Sequence, residues 1–237
     1  MSCLTIVQDV CRNLGLNIPN AVTTYKAPTM VQMLGLLNKA GKSLKDRPDE
    51  GWQALQLEAN FTTVAAESQG LMSTIAPNAR YILNNTIWNR TNRRPIFGPL
   101  TPQQWQMQKG WFAQGPYSQY RLVRGAILFT PVPAAGESCY FEYATNNWCT
   151  DSTGVTGKTQ FTADADVALL NEELLTLGLM WRWKQVKGLD YAEDKLEYED
   201  RVSQAMARDN PRPNLNLSRN NYQLPPLYVQ DGDYPAS

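Results

Sequence analysis

The spacing of apolar residues changes period twice along this chain, and no single-class fold accommodates both changes. Ile6, Val10 and Leu14 recur at four-residue spacing and Gly15 ends the run, which predicts a helix over 5–14. Past Pro28, Met30, Met33, Leu34, Leu37 and Leu44 lay a stripe along a second helix that Arg47-Pro48-Asp49 terminates. From Trp52 the period falls to two. Residues 54–63 alternate, 80–87 are rich in aromatic and branched side chains, and 120–130 and 138–144 read as short strands parted by Gly and Pro. Gly125-Ala126 predicts the turn of a hairpin there. One helix interrupts the strands: Thr101 is a cap, Pro102 suits a first helical position, and Trp105 and Lys109 lie one turn apart.

Helical spacing returns after the Gly/Thr-rich residues 150–159. Val167, Leu170, Leu174, Leu177 and Trp181 form one stripe and Leu175, Leu179 and Trp183 widen it, predicting a helix buried over most of its circumference. Thr162 or Asp164 is its expected cap, Glu172 and Glu173 fall early, and Arg182, Lys184 and Lys187 fall late, the order that complements the helix dipole. Gly188 breaks it. A last helix over 190–208 repeats the charge order, with Lys195/Glu199 and Glu197/Arg201 at four-residue spacing. Beyond Asn210, prolines at 211, 213, 225, 226 and 235 exclude regular helix, yet Leu215, Leu217, Tyr222, Leu224, Leu227 and Tyr228 are more apolar than a linker requires. The expectation is an extended C-terminal arm that lies on a partner. The segments are therefore 1–51 (helices), 52–160 (β with one short helix), 161–209 (helices) and 210–237 (arm), an α+β organisation.

Charge is sorted along the chain although 22 basic residues balance 22 acidic ones overall. Between Glu67 and Glu137 there is no Asp or Glu, while Arg80, Arg90, Arg93, Arg94, Lys109, Arg121 and Arg124 lie within the interval. Residues 137–209 hold fourteen acidic and seven basic side chains. Such sorting predicts two faces of opposite sign, suited to head-to-tail subunit contacts or to a polyanion.

Several chemistries are disfavoured. The chain has no histidine, which removes the commonest metal ligand, the usual general base and every Ser-His or Cys-His pair. Cys3, Cys11, Cys139 and Cys149 lack the close spacing of zinc or redox sites and read as buried free thiols. No cofactor or metal is expected. Gly41-Lys42-Ser43 echoes a phosphate-binding loop, but Gly35 stands five residues away where four are needed, and the surroundings read as helix. The first nineteen residues show neither a basic leader nor an apolar run near the ~18 residues of a membrane span, so the expectation is a cytosolic protein with no membrane partner.

Certain words and their order resemble a known family. Asn84-Asn85-Thr86-Ile87-Trp88-Asn89-Arg90-Thr91-Asn92-Arg93-Arg94-Pro95, Thr101-Pro102-Gln103-Gln104-Trp105, residues 127–136 (ILFTPVPAAG), Phe141-Glu142-Tyr143, residues 172–184 (EELLTLGLMWRWK) and Gly188-Leu189-Asp190-Tyr191-Ala192-Glu193 are similar to the head-to-tail adaptor (connector) proteins of tailed bacteriophages, the short-tailed type above all. The resemblance spans residues 1–208 as an order of elements and is local in its words. It implies a helical bundle core, made of the N-terminal helices and the two long C-terminal ones, interrupted by an inserted antiparallel β domain. It further implies a ring, commonly of twelve copies, docked under the portal protein at the head–tail junction of the virion and assembled in the host cytoplasm. Such a ring extends the DNA channel, touches packaged DNA transiently and receives a tail nozzle.

On that reading Arg90, Arg93, Arg94, Arg121 and Arg124 are the candidate contacts to a neighbouring subunit, a tail protein or channel DNA, because guanidinium groups reach carboxylates and phosphates bidentately. Trp105, Trp111 and 117–120 are expected as core or interface anchors rather than as a stacking platform for bases. Two other functions compete. A carboxylate-based glycan hydrolase needs only two acidic groups, for which Glu137, Glu142 and Asp151 are candidates. A stand-alone nucleic-acid-binding module would use the acid-free segment, against a pI of 6.3.

Overall fold

A computed structural model describes residues 2–25, 27–47, 51–110 and 117–209. The expected arm and its contacts Leu215, Leu217, Tyr222, Leu224, Leu227 and Tyr228 lie outside these residues, as does Trp111. The chain opens with α1 (Cys3–Asn13) and α2 (Pro28–Lys45), then a 3-10 turn (Gln53–Leu55). The middle holds β1 (Gln56–Thr62), β2 (Ser68–Leu71), α3 (Met72–Ile75), β3 (Ala79–Ile82), β4 (Trp88–Asn89), β5 (Arg94–Pro95) and α4 (Pro102–Gly110). It continues with β6 (Gln119–Val123), β7 (Ala126–Thr130), β8 (Ser138–Thr145), β9 (Cys149–Thr150), β10 (Gly157–Lys158) and β11 (Val167–Ala168). The last helices are α5 (Glu172–Lys187) and α6 (Ala192–Asp209). The chain is α+β, as its spacing predicts, and its strands pair antiparallel.

Helices from the two ends of the chain share one apolar core. Ile6, Val7 and Val10 of α1, Met33, Leu37 and Leu44 of α2, Leu174, Leu175 and Leu179 of α5, and Tyr198 and Val202 of α6 all belong to it. Each such aliphatic side chain contributes about 1.5–3 kcal/mol by leaving water. Trp148, just before β9, is buried in the same core, where its indole donates to the Thr159 carbonyl at 2.7 Å and meets Phe161 edge-on. Gly41 of α2 makes room for it: a Cβ there would stand 2.4 Å from the Trp148 ring. The Gly41-Lys42-Ser43 word thus lies inside a helix, as read from the sequence, and its glycine serves packing.

The middle builds a second core between two sheets. In the first, β8 is central, paired along its length with β1 on one side and with β3 and β4 on the other, β5 lying beyond β4. In the second, β7 lies between β2 and β6. Alternate residues turn inward, Ile127 and Phe129 from one sheet and Cys139, Phe141 and Tyr143 from the other, with Phe61 touching both Phe129 and Phe141.

The structure moves several expected boundaries. The helix expected over 5–14 starts at Cys3, because the Ser2 hydroxyl accepts Thr5 N–H and the carbonyls of Asp164 and Asp166 take Leu4 and Cys3 N–H. Residues 54–55 belong to the 3-10 turn. The hairpin turns at Arg124-Gly125, both with positive φ (+51° and +78°), and Ala126 already lies in β7. The expected cap of α5 is displaced furthest. Asn171, not Thr162 or Asp164, accepts from Glu173 N–H, and Val167 pairs with Thr150 in a strand. The reason is a pair of carboxylates. Asp164 accepts from the N–H groups of Val22 and Thr23, while Asp166 accepts from Thr162 N–H, Ala163 N–H and the Lys158 ammonium (2.6 Å), so the segment is pinned as a loop before the helix starts.

Two side chains of α5 and α6 also differ from expectation. Arg182, read as a dipole-complementing end charge, is 6 % exposed, donates to the Gly178 carbonyl and lies over the rings of Trp181 (4.2 Å) and Tyr198. Burial lowers its pKa from the ordinary value. Glu199, read as the partner of Lys195, pairs instead with Arg47 at 2.7 Å, tying α6 to the end of α2.

Candidate functional site

The hairpin of β4 and β5 carries Arg90-Thr91-Asn92-Arg93 as its loop, and local chemistry holds that loop in one shape. Asn89 closes an Asx turn by accepting Asn92 N–H at 3.0 Å, a habit of asparagine that frees the backbone from a regular ladder. Both amide side chains then donate to one carboxylate: Asn89 Nδ2 to Glu137 Oε2 at 2.5 Å and Asn92 Nδ2 to Glu137 Oε1 at 2.6 Å. Thr91 Oγ1 accepts from Ser138 N–H, and Arg90 N–H donates to the Ser138 carbonyl, both at 2.9 Å. Glu137 and Ser138 enter β8, so the loop is fastened to the start of the central strand.

The arginines of this loop divide by role. Arg90 lies over the Tyr140 ring, 3.6 Å from its centroid, and pairs with Glu58 of β1, so it is committed to the sheet. Arg93 sits at the fold of the loop with φ +52°, exposed, and has no ion pair among the described residues. Arg94 opens β5 and is exposed. Arg121 is half-buried on β6 opposite Leu128, and Arg124 occupies the tip of the β6–β7 hairpin. The five candidates do not form one patch. Arg90 to Arg94 stand beside Ser138 at the start of β8, whereas the Arg124 turn abuts α3, through Met72 N–H on the Gly125 carbonyl, and the residues after α3 meet Thr145 and Asn146 at the other end of β8.

Charge sorting in the sequence is partly undone by the fold. Acidic residues outside the acid-free interval reach into it, with Asp46 on Arg80, Glu58 on Arg90 and Glu67 on Lys109. These pairs are exposed, so each contributes little to stability. Their effect within that interval is to leave Arg93, Arg121 and Arg124 with no ion pair among the described residues. Trp105 is buried and lies one turn from Lys109, whose ammonium sits over its ring, while Tyr120 is buried and Tyr117 is exposed against Phe97.

The carboxylates that a hydrolase would use sit in structural places, and the thiols are buried as expected. Glu137 serves the two asparagines, Glu142 points outward on β8, and Asp151 closes a tight turn in which the Thr153 hydroxyl, with donors from Thr156 and Val155, brings its carboxyl down to about 2. All four cysteines are free and buried; burial pushes Cys3, Cys139 and Cys149 up to about 12 and raises Cys11 as well. Among the described residues no group of three His, Cys, Asp or Glu side chains is placed to hold a metal ion, and no helix is long and apolar enough to cross a membrane. Sequence reasoning placed Arg90 in the contact set and missed Glu137 as the clamp of its loop. The signal was the pair of asparagines three apart, flanking a turn. No protein-family model and no curated protein matches the sequence.

Proposed function

We propose that this protein is a head-to-tail adaptor of a tailed bacteriophage: a ring-forming virion component, docked beneath the portal, that extends the DNA channel, offers the tail its attachment surface and turns over no substrate. The reading rests on the resemblance in the words around residues 84–95, 127–136 and 172–193. One structural observation supports it most. Helices on both sides of the β region, α1 and α2 before it and α5 and α6 after it, bury their apolar faces in one core, the interrupted helical arrangement that the resemblance implies. The preorganised loop ending in Arg93 and Arg94 suits a contact to a neighbouring subunit or to a tail protein, because its shape is held before the partner arrives. Contact with channel DNA through the same groups would be transient and independent of sequence.

Mass photometry and negative-stain microscopy of the full chain with portal rings test this reading. Rings of the protein on the portal are the expected result. A chain that stays monomeric and ignores portal rings at high concentration would overturn it.

A further inference from the structure

Among the described residues, the outer edge of β1 is an open hydrogen-bonding surface. Thr63 N–H donates to the Glu137 carbonyl, and Gly136 N–H donates to the Thr63 carbonyl, so Thr63 faces β8 with its backbone. On the opposite edge of β8, the carbonyls of Ser138 and Glu142 accept from Arg90 and Leu83. In an antiparallel ladder these directions alternate residue by residue, and with the register Leu57↔Tyr143, Ala59↔Phe141 and Phe61↔Cys139 they turn the backbones of Gln56, Glu58, Asn60 and Thr62 away from β8. Gln56 N–H is already taken by the Gln53 carbonyl, but among the described residues the N–H and C=O groups of Glu58, Asn60 and Thr62 meet no backbone partner. Glu58, Asn60 and Thr62 are exposed, and so is Leu57, at 48 %. An edge of this kind is a template for another strand, which proteins ordinarily blunt or cover.

The structure also shows which segment starts beside it. Residues 210–237 follow Asp209, and Asp209 is fastened to the approach to β1: its carboxylate accepts Gln53 N–H at 2.7 Å and its carbonyl accepts the Gln53 side-chain amide. Four residues, Asn210-Pro211-Arg212-Pro213, reach at most about 14 Å from there. The next eleven, 214–224, contain no proline, and Leu215 and Leu217 alternate with Asn214, Asn216 and Ser218. That is the period of a strand with one apolar side, and the side chains of Leu57, Ala59 and Phe61 share one face of β1, two of them packed on the core between the sheets.

We propose that residues 214–220 of the same chain add to the free edge of β1 as a parallel strand, with Leu215 and Leu217 extending the apolar face of the sheet. The direction follows from the exit point, since a chain leaving beside Gln53 and passing along β1 runs the way β1 runs. This inference does not rest on the adaptor reading, and either can fail without the other.

Cysteine scanning on the full chain tests it. Asn60→Cys, on an exposed position, is combined in turn with a single cysteine at each of 214–220; the four native thiols are buried and stay out of the reaction. Adjacent strands bring Cα atoms within the range of about 4.4–6.8 Å that a disulfide spans. The expected result is monomeric cross-linked protein that peaks at one position of 214–220 and is absent at its two immediate neighbours, whose side chains face the other side of the sheet. Uniform cross-linking, none, or cross-linked dimers alone would overturn it, the last by assigning the edge to a second copy. Amide exchange supplies a readout free of engineered thiols: Glu58 and Asn60 are expected to exchange at least about tenfold faster in full-chain Leu217→Pro than in the wild type. Equal rates in the two proteins would also overturn the proposal.

Discussion

Single residues carry more of this fold than their type suggests. Gly41 is the clearest instance, because a methyl group there would enter the Trp148 ring. Gly41→Ala ordinarily helps a helix, but here it is expected to lower stability by about 1–3 kcal/mol in urea unfolding, and Trp148→Leu in the same chain should return part of the loss because the two positions share one space. Asp166 is the second. Burial pushes its carboxyl up, but Lys158 and the N–H groups of Thr162 and Ala163 outweigh that and hold it below the ordinary carboxylate value. A depressed folded pKa contributes stability that is present above the unfolded value of about 3.9 and is lost as pH falls through the folded one. Asp166→Asn should therefore cost about 2–4 kcal/mol at neutral pH. The gap to the wild type should narrow as unfolding is measured at pH values below about 4.

At the scale of elements, what the sequence discloses is what is decided locally. Thr101 and Gln104 bond each other's backbone N–H groups at the start of α4, and the αL glycine at 188 ends α5, both within a few residues of the signal that predicts them. The start of α5 is not local. Val167 and Leu170 fit the helical stripe, yet Asp164 is held by backbone groups of Val22 and Thr23, far away in the chain, and no spacing rule sees such a partner. Arg182 misleads for a similar reason: its place late in the helix suggests solvent, and the aromatic faces that bury it come partly from α6. The arginine loop falls between these cases, its composition legible and its clamp hidden. Glu137→Ala leaves the nearly buried amide of Asn89 without its acceptor and should cost about 1–3 kcal/mol, with faster amide exchange at 90–93. Arg93→Ala should leave stability within about 0.5 kcal/mol. If the loop is a contact surface, both variants weaken partner binding in a pull-down, and only the first is destabilised.

For the whole molecule, polar contacts between the end of α2 and the sheet link the two apolar cores, Arg80 on the Lys45 carbonyl and on Asp46, and Lys45 on Asn146. The native thiols report on the cores separately, since Cys3, Cys11 and Cys149 line the helical one and Cys139 the other. Labelling with a thiol reagent along a urea series is expected to give Cys139 a midpoint distinct from the shared midpoint of the other three, and to leave all four unreacted without denaturant. The arrangement of the helical core also governs how the chain comes off the ribosome. Its first two helices emerge early, but the surface that completes them is not translated until α5 and α6 appear more than a hundred residues later. Strands β1 to β8 can meet their partners in the meantime, so nascent α1 and α2 pass that interval with their greasy sides uncovered, a window in which chaperones have something to hold.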